Sequence, residues 1–337
     1  MIAKVEPLTP ARALRGPFDY RLPGGMEGVD VGSMLVIPFG QQRMLGVVVG
    51  LAQESEVPPD RLVEPLKALD RGVPAELVRL GLWLAEEYCS TPARGLALVL
   101  PPGAGTGRRA PVGPRRALVA TVTEDGRAAI QGGATPSGAR IGERQRAALA
   151  ALADGPLSVA ALTRATGAGH STVRALEARG LVAIERTEQR RRPDIRSVGA
   201  RSGGPERLTP AQERALAAVI ARMDAPPGGE PDERRLLLHG VTGSGKTEVY
   251  LRAAAAALER GRSAIVLVPE IALTPQTAAR FEQRFGDAVA VLHSKLSAGE
   301  RYDEWQRLRR GEARLCVGPR SAVFAPLSDI GLIVVDE

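Results

Sequence analysis

Residues 239–251 read HGVTGSGKTEVYL, and this stretch decides the fold class of the chain. It contains the pattern G-x-x-x-x-G-K-[ST] at residues 240–247, after an apolar run and before an alanine-rich one. Where a strand passes through such a turn into a helix, backbone N–H groups converge on phosphate oxygens and the helix N-terminus adds positive charge. We therefore predict a nucleotide-binding loop; the alternative is a glycine-rich turn without that function. The residues expected to hold the nucleotide are Gly240, Gly243, Ser244, Gly245, Lys246 and Thr247.

Two side chains of this loop and two acidic residues carry the expected chemistry. Lys246 would reach the terminal phosphates, and the Thr247 hydroxyl would ligate Mg²⁺. The apolar run LIVVDE ends in Asp336 and Glu337. Such an aspartate holds Mg²⁺ through water, and the glutamate after it polarises the attacking water. Because strands ending in two acids are common by chance, this interpretation depends on the loop. The predicted catalytic residues are Lys246, Asp336 and Glu337, with Thr247 and Asp336 as metal ligands.

Residues 201–337 alternate between continuous apolar runs and helical patterns. This alternation predicts an α/β domain whose parallel sheet is covered by helices on both faces. The sequence Ser297-Ala-Gly-Glu300 predicts a capping box at the start of the last helix. The predicted strands are 234–240, 263–269, 288–293, 313–318 and 331–337, and the predicted helices are 247–259, 274–285 and 298–310.

The segment LTPAQ at residues 208–212 has two interpretations. Thr209 as N-cap, Pro210 at the first helical position and Gln212 three residues past the cap make a capping box. Alternatively, Gln212 contacts the edge of an adenine, because an amide donates and accepts at once. Both interpretations stay open, and Gln212 is counted among the predicted nucleotide-binding residues.

Residues 1–105 are predicted to form a β-rich domain with one helix. The segments GSMLVIPFG (32–40) and RMLGVVVGL (43–51) are typical of two strands around a turn. Residues 74–89 have helical periodicity, and a Pro/Gly/Arg linker begins at residue 101. The apolar face of the predicted helix consists of Leu77, Leu80, Leu84 and Tyr88.

Residues 106–200 are predicted to hold a linker and a winged-helix domain with its core at 141–188. The pattern is helix, helix, turn, helix, hairpin, with Ser158 as an N-cap, Ser171 opening the third helix and Gly180 closing it. The third helix of such a unit can enter a DNA groove, but these units also dock proteins. The arginine-rich segment 186–196 is either a phosphate-contacting surface or a solvated wing.

The composition limits which partners the chain is expected to bind and in which cellular compartment it is expected to lie. The formal charge of +7 permits an anionic partner without requiring one. Only four of the 45 basic residues are lysines, and one of them is Lys246. Cys89 and Cys316 stand alone, so this chain has no ligand set for zinc and no disulfide framework. With no membrane-spanning run and no signal peptide pattern, a reducing cytoplasm is the expected location.

Several blocks together resemble the first motor lobe of the PriA family of primosomal replication-restart helicases, in helicase superfamily 2. The resemblance continues through the winged-helix pattern into the N-terminal domain, where FDY (18–20) and IPFG (37–40) match the family's 3′-end-binding domain. It therefore spans nearly the whole chain. The blocks in the motor lobe are LLHGVTGSGKTEVYL, VLVPEIALTPQ, LHSKLSAGERYDEW, VGPRSAVFAPL and LIVVDE.

The resemblance implies an ATP-dependent 3′→5′ DNA helicase that uses Mg²⁺. It implies recognition of stalled or branched forks and the start of primosome assembly. The implied partners are DNA forks, 3′ ends and single strands, with single-strand DNA-binding protein and primosome proteins, and no membrane. Zinc is expected for the family's cysteine-rich region, although this chain has no ligands for it.

The resemblance also implies which residues contact DNA. Arg320 and Ser321 would contact the DNA track, since a guanidinium suits a phosphate. The residues that lie in blocks lining this track or coupling it to ATP are Pro269, Glu270, Thr274, His293, Ser294, Arg320 and Ser321. Alternatively, Thr274 is a helix cap and His293 a polar residue at a strand end.

In the N-terminal domain, the resemblance implies a pocket for the terminal nucleotide of a nascent 3′ strand. Its members would be Phe18, Asp19, Tyr20 and Gly40. A carboxylate accepts a hydrogen bond from a free 3′ hydroxyl, and an aromatic ring stacks on a base. The alternative is that Phe18 and Tyr20 belong to the core.

The sequence departs from the family pattern at Glu337, inside the family's D-E-x-H box. We expect the second motor lobe, its arginine finger, the cysteine-rich region and the C-terminal domain to belong to a longer protein. Since ATP in this class lies between two lobes, this polypeptide is expected to bind DNA, and ATP weakly, without unwinding. The alternatives are a non-motor DNA-binding primosome scaffold and an ATP-dependent transcription regulator.

Overall fold

The computed structural model describes residues 1–11, 14, 16–104, 113, 115–132, 140–188, 190–191, 207–226, 231–241, 243–270, 273–293 and 296–336. The chain forms two compact units. The first consists of Met1–Val112 with Arg192–Glu337, and the second of Gly113–Arg191. The finer division at 1–105, 106–200 and 201–337 stays a prediction.

The first unit begins with a five-stranded antiparallel sheet in the order β2-β1-β4-β3-β5. The predicted pair of strands is confirmed as β3 and β4, joined by a tight turn in which Phe39 lies opposite Gln42 and Gly40 has a φ of 58°. That left-handed conformation favours glycine. The strands are β1 (Ile2–Pro7), β2 (Phe18–Arg21), β3 (Ser33–Phe39), β4 (Gln42–Ala52) and β5 (Lys67–Gly72).

Two helices follow this sheet, α1 (Ala75–Glu87) and α2 (Pro92–Val99). Helix α1 confirms the predicted helix, and Leu77 is buried as expected. The prediction was wrong for Tyr88, which is 73% exposed because the helix ends one residue before it. Helix α2 was not predicted.

In its described residues, the second unit combines four helices with a three-stranded antiparallel sheet in the order β7-β6-β8. The predicted cap is confirmed, since the Ser158 Oγ accepts a hydrogen bond from the Ala161 N–H at 3.2 Å. The elements are β6 (Arg116–Val122), α3 (Glu124–Gly132), α4 (Glu143–Ala153), β7 (Leu157–Ser158), α5 (Val159–Thr166), α6 (His170–Ala178) and β8 (Val182–Glu188).

Two details of this unit differ from the prediction. Helix α6 begins at His170 with Gly169 as its N-cap, so Ser171 lies inside the helix. Strand β8 does not form the predicted hairpin, because it pairs with β6, which precedes all four helices. The sequence offered no sign of this long-range pairing, since pairing depends on the tertiary arrangement.

The rest of the first unit is an α/β lobe whose four strands are parallel, as predicted, in the order β10-β11-β9-β12. Parallel strands place their carboxyl ends at one edge, where ligands bind in such folds. The capping box at Ser297 is also confirmed. The elements are α7 (Pro210–Asp224), α8 (Lys246–Glu259), β9 (Ser263–Leu267), α9 (Pro275–Phe285), β10 (Val289–Val291), α10 (Ala298–Arg309), β11 (Leu315–Gly318) and β12 (Ile330–Val335).

The predicted strand at 234–240 was wrong. A 3₁₀ turn, Pro231–Arg234, precedes an irregular segment in which Leu237 is 94% exposed. Within the described ranges, strand β12 pairs only with β9, and its Ile333 and Val335 are exposed, so helices do not cover this strand on both faces. An apolar run becomes a strand only where a neighbour completes its hydrogen bonds, and composition does not report that neighbour.

In the part of the chain that the structure describes, no helix is long and apolar enough to cross a bilayer. Over the same residues, no group of three or more His, Cys, Asp or Glu side chains is placed to hold a metal ion.

Candidate functional site

The predicted nucleotide loop, residues 240–247 (the nucleotide loop below), follows the irregular segment and runs into α8; Thr242 lies outside the described residues. Gly243 and Gly245 have φ values of 81° and 84°, a conformation that side chains rarely adopt. The Ser244 N–H donates to the Val241 carbonyl at 3.1 Å, which closes the turn below the helix. The loop therefore presents backbone at the N-terminus of α8.

Neighbouring side chains approach two glycines of the loop. A Cβ on Gly240 would lie 2.6 Å from the Ser244 Oγ, and a Cβ on Gly245 would lie 2.3 Å from the Gln212 Nε2. A Cβ on Gly243 would meet nothing within 4 Å, so open space faces that backbone. The pattern of glycines thus fits a loop whose backbone is approached closely by another group.

Lys246 lies at the first position of α8 and contacts the loop itself. Its Nζ donates to the Gly240 carbonyl at 2.7 Å and lies 3.4 Å from the Val241 carbonyl. The ammonium therefore lies over the loop at the helix N-terminus. To reach a phosphate, it exchanges these neutral acceptors for a charged one, which makes stronger hydrogen bonds.

Gln212 connects helix α7 to this loop. The predicted capping box is confirmed: the Gln212 N–H donates to the Thr209 Oγ1 at 3.3 Å, and the Thr209 N–H donates to the Gln212 Oε1 at 2.9 Å. The Gln212 Nε2 also donates to the Ser244 carbonyl at 2.9 Å. The amide oxygen thus supports the helix while the amide nitrogen holds the loop.

The predicted metal ligands belong to the same region. Thr247 follows Lys246 in the first turn of α8, and Asp336 directly follows β12. The Asp336 N–H donates to the Leu267 carbonyl at 2.9 Å, and its Oδ1 accepts from the Tyr250 hydroxyl at 3.2 Å. Helix α8 thereby touches the acidic strand end. Glu337 lies outside the described residues.

Helix α8 contains a buried carboxylate, Glu248, in its first turn. Glu248 is buried directly after Thr247 and accepts from the Arg252 Nε at 2.8 Å, with Arg284 of α9 at 3.5 Å. Buried carboxylates need such partners. The sequence pattern did not single out this group.

The predicted DNA-track residues follow three neighbouring strands. Glu270 follows β9, His293 follows β10 and Ser321 follows β11, and all three line one cavity of about 350 Å³. Pro269 lies before Glu270, and Arg320 is exposed beside Ser321. These residues, far apart in sequence, meet at the carboxyl edge of the sheet.

Two other members of these blocks do not join that cavity. The Thr274 Oγ1 accepts from the Thr277 N–H at 3.2 Å, so Thr274 acts as the helix cap of the alternative interpretation. Ser294 lies outside the described residues.

Asp19, the proposed acceptor for a 3′ hydroxyl, lies on β2 with its side chain only 10% exposed. Its Oδ2 accepts from the Ser55 Oγ at 2.5 Å, and its Oδ1 lies 3.5 Å from the Lys4 ammonium. Lys4 is its cross-strand neighbour on β1. The carboxylate is therefore held in place by two partners that the sequence did not reveal.

The neighbours of Asp19 divide between core and surface. Tyr20 is 3% exposed, its hydroxyl donates to the Pro38 carbonyl at 2.9 Å, and burial raises its pKa to about 12. These contacts favour the core interpretation for Tyr20. Phe18 packs edge-on against Phe39 with 5.1 Å between ring centroids and stays partly exposed. Gly40 lies at the exposed turn, with open space around its Cα.

In the second unit, helix α6 exposes His170, Ser171 and Arg174. Arg174 pairs with Glu177 on the same helix at 3.2 Å. Of the arginine-rich segment, Arg191 donates to the Gly113 carbonyl at 3.3 Å, whereas residues 189 and 192–196 lie outside the described residues.

Two family models match the chain. The model of the DEAD/DEAH box helicase matches residues 209–337, which contain the nucleotide loop and Asp336. The model of the 3′ DNA-binding domain matches residues 8–101, which contain Asp19.

Curated relatives match over most of the chain. The replication restart protein PriA of Synechocystis sp. is 33% identical over 96% of this chain and 46% of its own length. The corresponding proteins of Bacillus subtilis and Haemophilus influenzae are each 32% identical over 95% of this chain, and over 47% and 42% of their own lengths. The chain therefore spans about half the length of the curated relatives it matches. The resemblance found in the sequence is confirmed, and the chain belongs to the family of the replication restart protein PriA.

Proposed function

We propose that the protein containing this chain is an ATP-dependent 3′→5′ DNA helicase of replication restart. It recognises stalled or branched forks and initiates primosome assembly. The observation that carries the proposal is the nucleotide loop. Its glycines leave backbone open at the N-terminus of α8, while Asp336 lies within hydrogen-bond reach of the same helix.

The residues of this loop fit ATP with Mg²⁺. Gly243 faces open space, and the Lys246 ammonium lies over the loop, where it donates to the neutral Gly240 carbonyl. The loop amides and Lys246 would hold the phosphates, and Thr247 and Asp336 would hold the metal. When bound, the metal neutralises charge that develops on the phosphates. Gln212 donates to the loop at Ser244, and its amide would also contact the edge of the adenine.

Two places in the first unit would contact DNA. Asp19 would accept a hydrogen bond from a free 3′ hydroxyl, with Phe18 beside it and the Gly40 turn giving access. Arg320 and Ser321 at the carboxyl edge of the lobe would contact the phosphates of a single strand. The match to the 3′ DNA-binding domain model supports the first assignment.

We further propose that the second unit is a winged-helix domain that contacts DNA through α6. Its order of helix, turn, helix and strand, and the exposed face of α6 with Arg174, support this. Single-strand DNA-binding protein and primosome proteins are the proposed protein partners, and the cytoplasm is the proposed location. Membership of the PriA family supports these assignments.

Strand separation on the whole gene product tests the proposal. A duplex with a 3′ single-stranded tail should be unwound with ATP and Mg²⁺, a duplex with a 5′ tail should not, and Lys246→Ala should abolish the reaction. Hydrolysis of ATP should rise on addition of DNA. Failure to unwind the 3′-tailed duplex, together with equal ATP hydrolysis with and without DNA, would contradict the motor and favour a scaffold. Unwinding that survives Lys246→Ala would contradict the role of Lys246 in the motor.

A further inference from the structure

The cavity at the carboxyl edge of the lobe has walls from two distant parts of the first unit. Leu98, Leu100 and Pro102, at the end of α2 and just after it, line one side. Trp305 of α10 and Phe324 line the other, together with the polar residues that follow the strands. We call this space the Trp305 cavity. Its volume of about 350 Å³ is in the range of small-ligand pockets, roughly 300–1,000 Å³.

Trp305 connects the α/β lobe to the N-terminal sheet by packing. It is 4% exposed and belongs to the apolar core formed by the N-terminal sheet with α1 and α2, against which Phe324 also packs. The lobe therefore inserts an aromatic side chain into the core of the DNA-binding domain. A group bound in the Trp305 cavity would contact both.

The indole N–H of Trp305 is buried and has no hydrogen-bond partner among the described residues. An indole can only donate, and a buried donor without a partner costs roughly 1–3 kcal/mol. The side chain that carries this donor lines the cavity, although the N–H itself is not exposed there, so a small shift of the indole would let an acceptor on a bound group satisfy it.

The polar lining adds charge of both signs. Arg301 and Glu270 are exposed, and neither forms an ion pair with another described residue. An apolar, aromatic wall with one buried donor, one cation and one carboxylate suits a flat heterocycle that carries acceptors and donors on its edge and a phosphate beside it. A nucleotide of single-stranded DNA has these features.

We propose that the Trp305 cavity holds one unstacked base of the single DNA strand that crosses the lobe. The Trp305 N–H donates to an acceptor on the base edge, and Arg301 contacts a phosphate of the same strand. This inference rests on the proposed function, because Arg320 and Ser321 would bring the strand to this edge. Since every base carries an acceptor, the site tolerates all sequences.

Tryptophan fluorescence can test this directly, because the chain has only two tryptophans, Trp83 and Trp305. In Trp83→Phe, the emission of Trp305 alone should be quenched as a 20-nucleotide oligo-dT is added. An abasic strand of equal length should still bind through its phosphates, but it should not quench the emission of Trp305. In the matched variant Trp305→Phe, oligo-dT should bind roughly 3- to 10-fold more weakly, while the abasic strand binds as it does to the unchanged chain.

Trp305 is a core residue, so a surface variant keeps the test independent of folding. Leu98 lines the cavity and is 53% exposed. Leu98→Glu should weaken oligo-dT binding roughly 10-fold by placing a carboxylate beside the strand, whereas the control Leu66→Glu, at another exposed leucine, should not.

The outcomes separate the two proposals. If oligo-dT binds but leaves Trp305 emission unchanged, and Leu98→Glu binds normally, the base site is wrong while DNA binding stands. If the unchanged chain binds neither strand, both proposals fail.

Discussion

In the nucleotide loop, Lys246 contacts a carbonyl only six positions away, whereas Asp19 in the N-terminal sheet accepts from Ser55, 36 positions away. The loop presents mainly backbone, set by glycines with positive φ. The predicted site at Asp19 presents a side chain that Lys4 of a neighbouring strand also holds. The first site is thus built by consecutive residues and the second by residues that only the sheet brings together.

Because of this difference, substitutions should affect binding at the two sites in different ways. A loop made of consecutive residues loses function when its own side chains change. A site assembled from several strands also fails when its supports change, even where the acceptor itself is kept. Four predictions test the comparison, from the largest expected effect to the smallest.

Lys246→Ala should weaken the binding of a fluorescent Mg-ATP analogue about 100-fold, because hydrogen bonds to charged groups contribute roughly 1.5–3 kcal/mol. The matched control is Lys67→Ala, which removes an exposed lysine of β5. Equilibrium titration of both variants measures the effect. A loss no greater than that of the control would mean that the loop does not bind phosphates through Lys246.

The N-terminal sheet should carry a pH dependence through Glu6 of β1. Burial raises the pKa of Glu6 from 4.5 to about 7, so the folded state keeps its proton longer than the unfolded chain does. The stability from this group is complete below pH 4.5 and is lost as the pH rises toward 7. Between pH 5 and 8 the free energy of unfolding should fall by about 2 kcal/mol through this group.

Urea unfolding of Glu6→Gln at both pH values measures that loss. The variant should lose about 2 kcal/mol less than the unchanged chain between pH 5 and 8, since an amide does not titrate. Glu27→Gln, at an exposed turn, serves as the control and should behave like the unchanged chain. Identical pH dependence in the Glu6 variant would show that this carboxyl is ionised in the folded state.

Asp19→Ala should remove about a tenfold preference for forks with a free 3′ hydroxyl over forks with a 3′ phosphate, since the acceptor is lost. Ser55→Ala should remove only part of it, because Asp19 then loses one support. Asp70→Ala, at an exposed position of β5, is the control. Competition binding with the two forks provides the measurement, and an unchanged preference in Asp19→Ala would exclude this pocket.

Gln212→Ala should weaken Mg-ATP binding roughly threefold, since it removes one neutral hydrogen bond to the loop. Gln145→Ala is the control, because the Gln145 Oε1 likewise accepts from the backbone N–H at a helix start, that of Gly142 at 3.3 Å. Titration with ATP and GTP compares the two variants. Equal changes in ATP affinity in the two variants would mean that Gln212 acts only as a helix cap.

Much of the lobe could be predicted from its sequence, because helix caps and buried strands are specified locally. Ser297 and Thr209 cap the helices that their patterns indicate, and four predicted strands are parallel neighbours. The exception is residues 234–240, where an apolar run forms no strand. Conversely, strand β6 forms where no strand was predicted. Its partner β8 lies 60 residues further along the chain, and the pairing with β8 is what makes this segment a strand.

By itself, the sequence determined the nucleotide loop, its lysine and the acidic strand end, because glycine conformations and helix starts depend on neighbours along the chain. Only the tertiary structure decided that Tyr20 belongs to the core, that Ser55 and Lys4 hold Asp19, and that Trp305 enters the N-terminal core. Burial and hydrogen-bond partners arise from contacts between distant segments, and no local pattern records which segments meet.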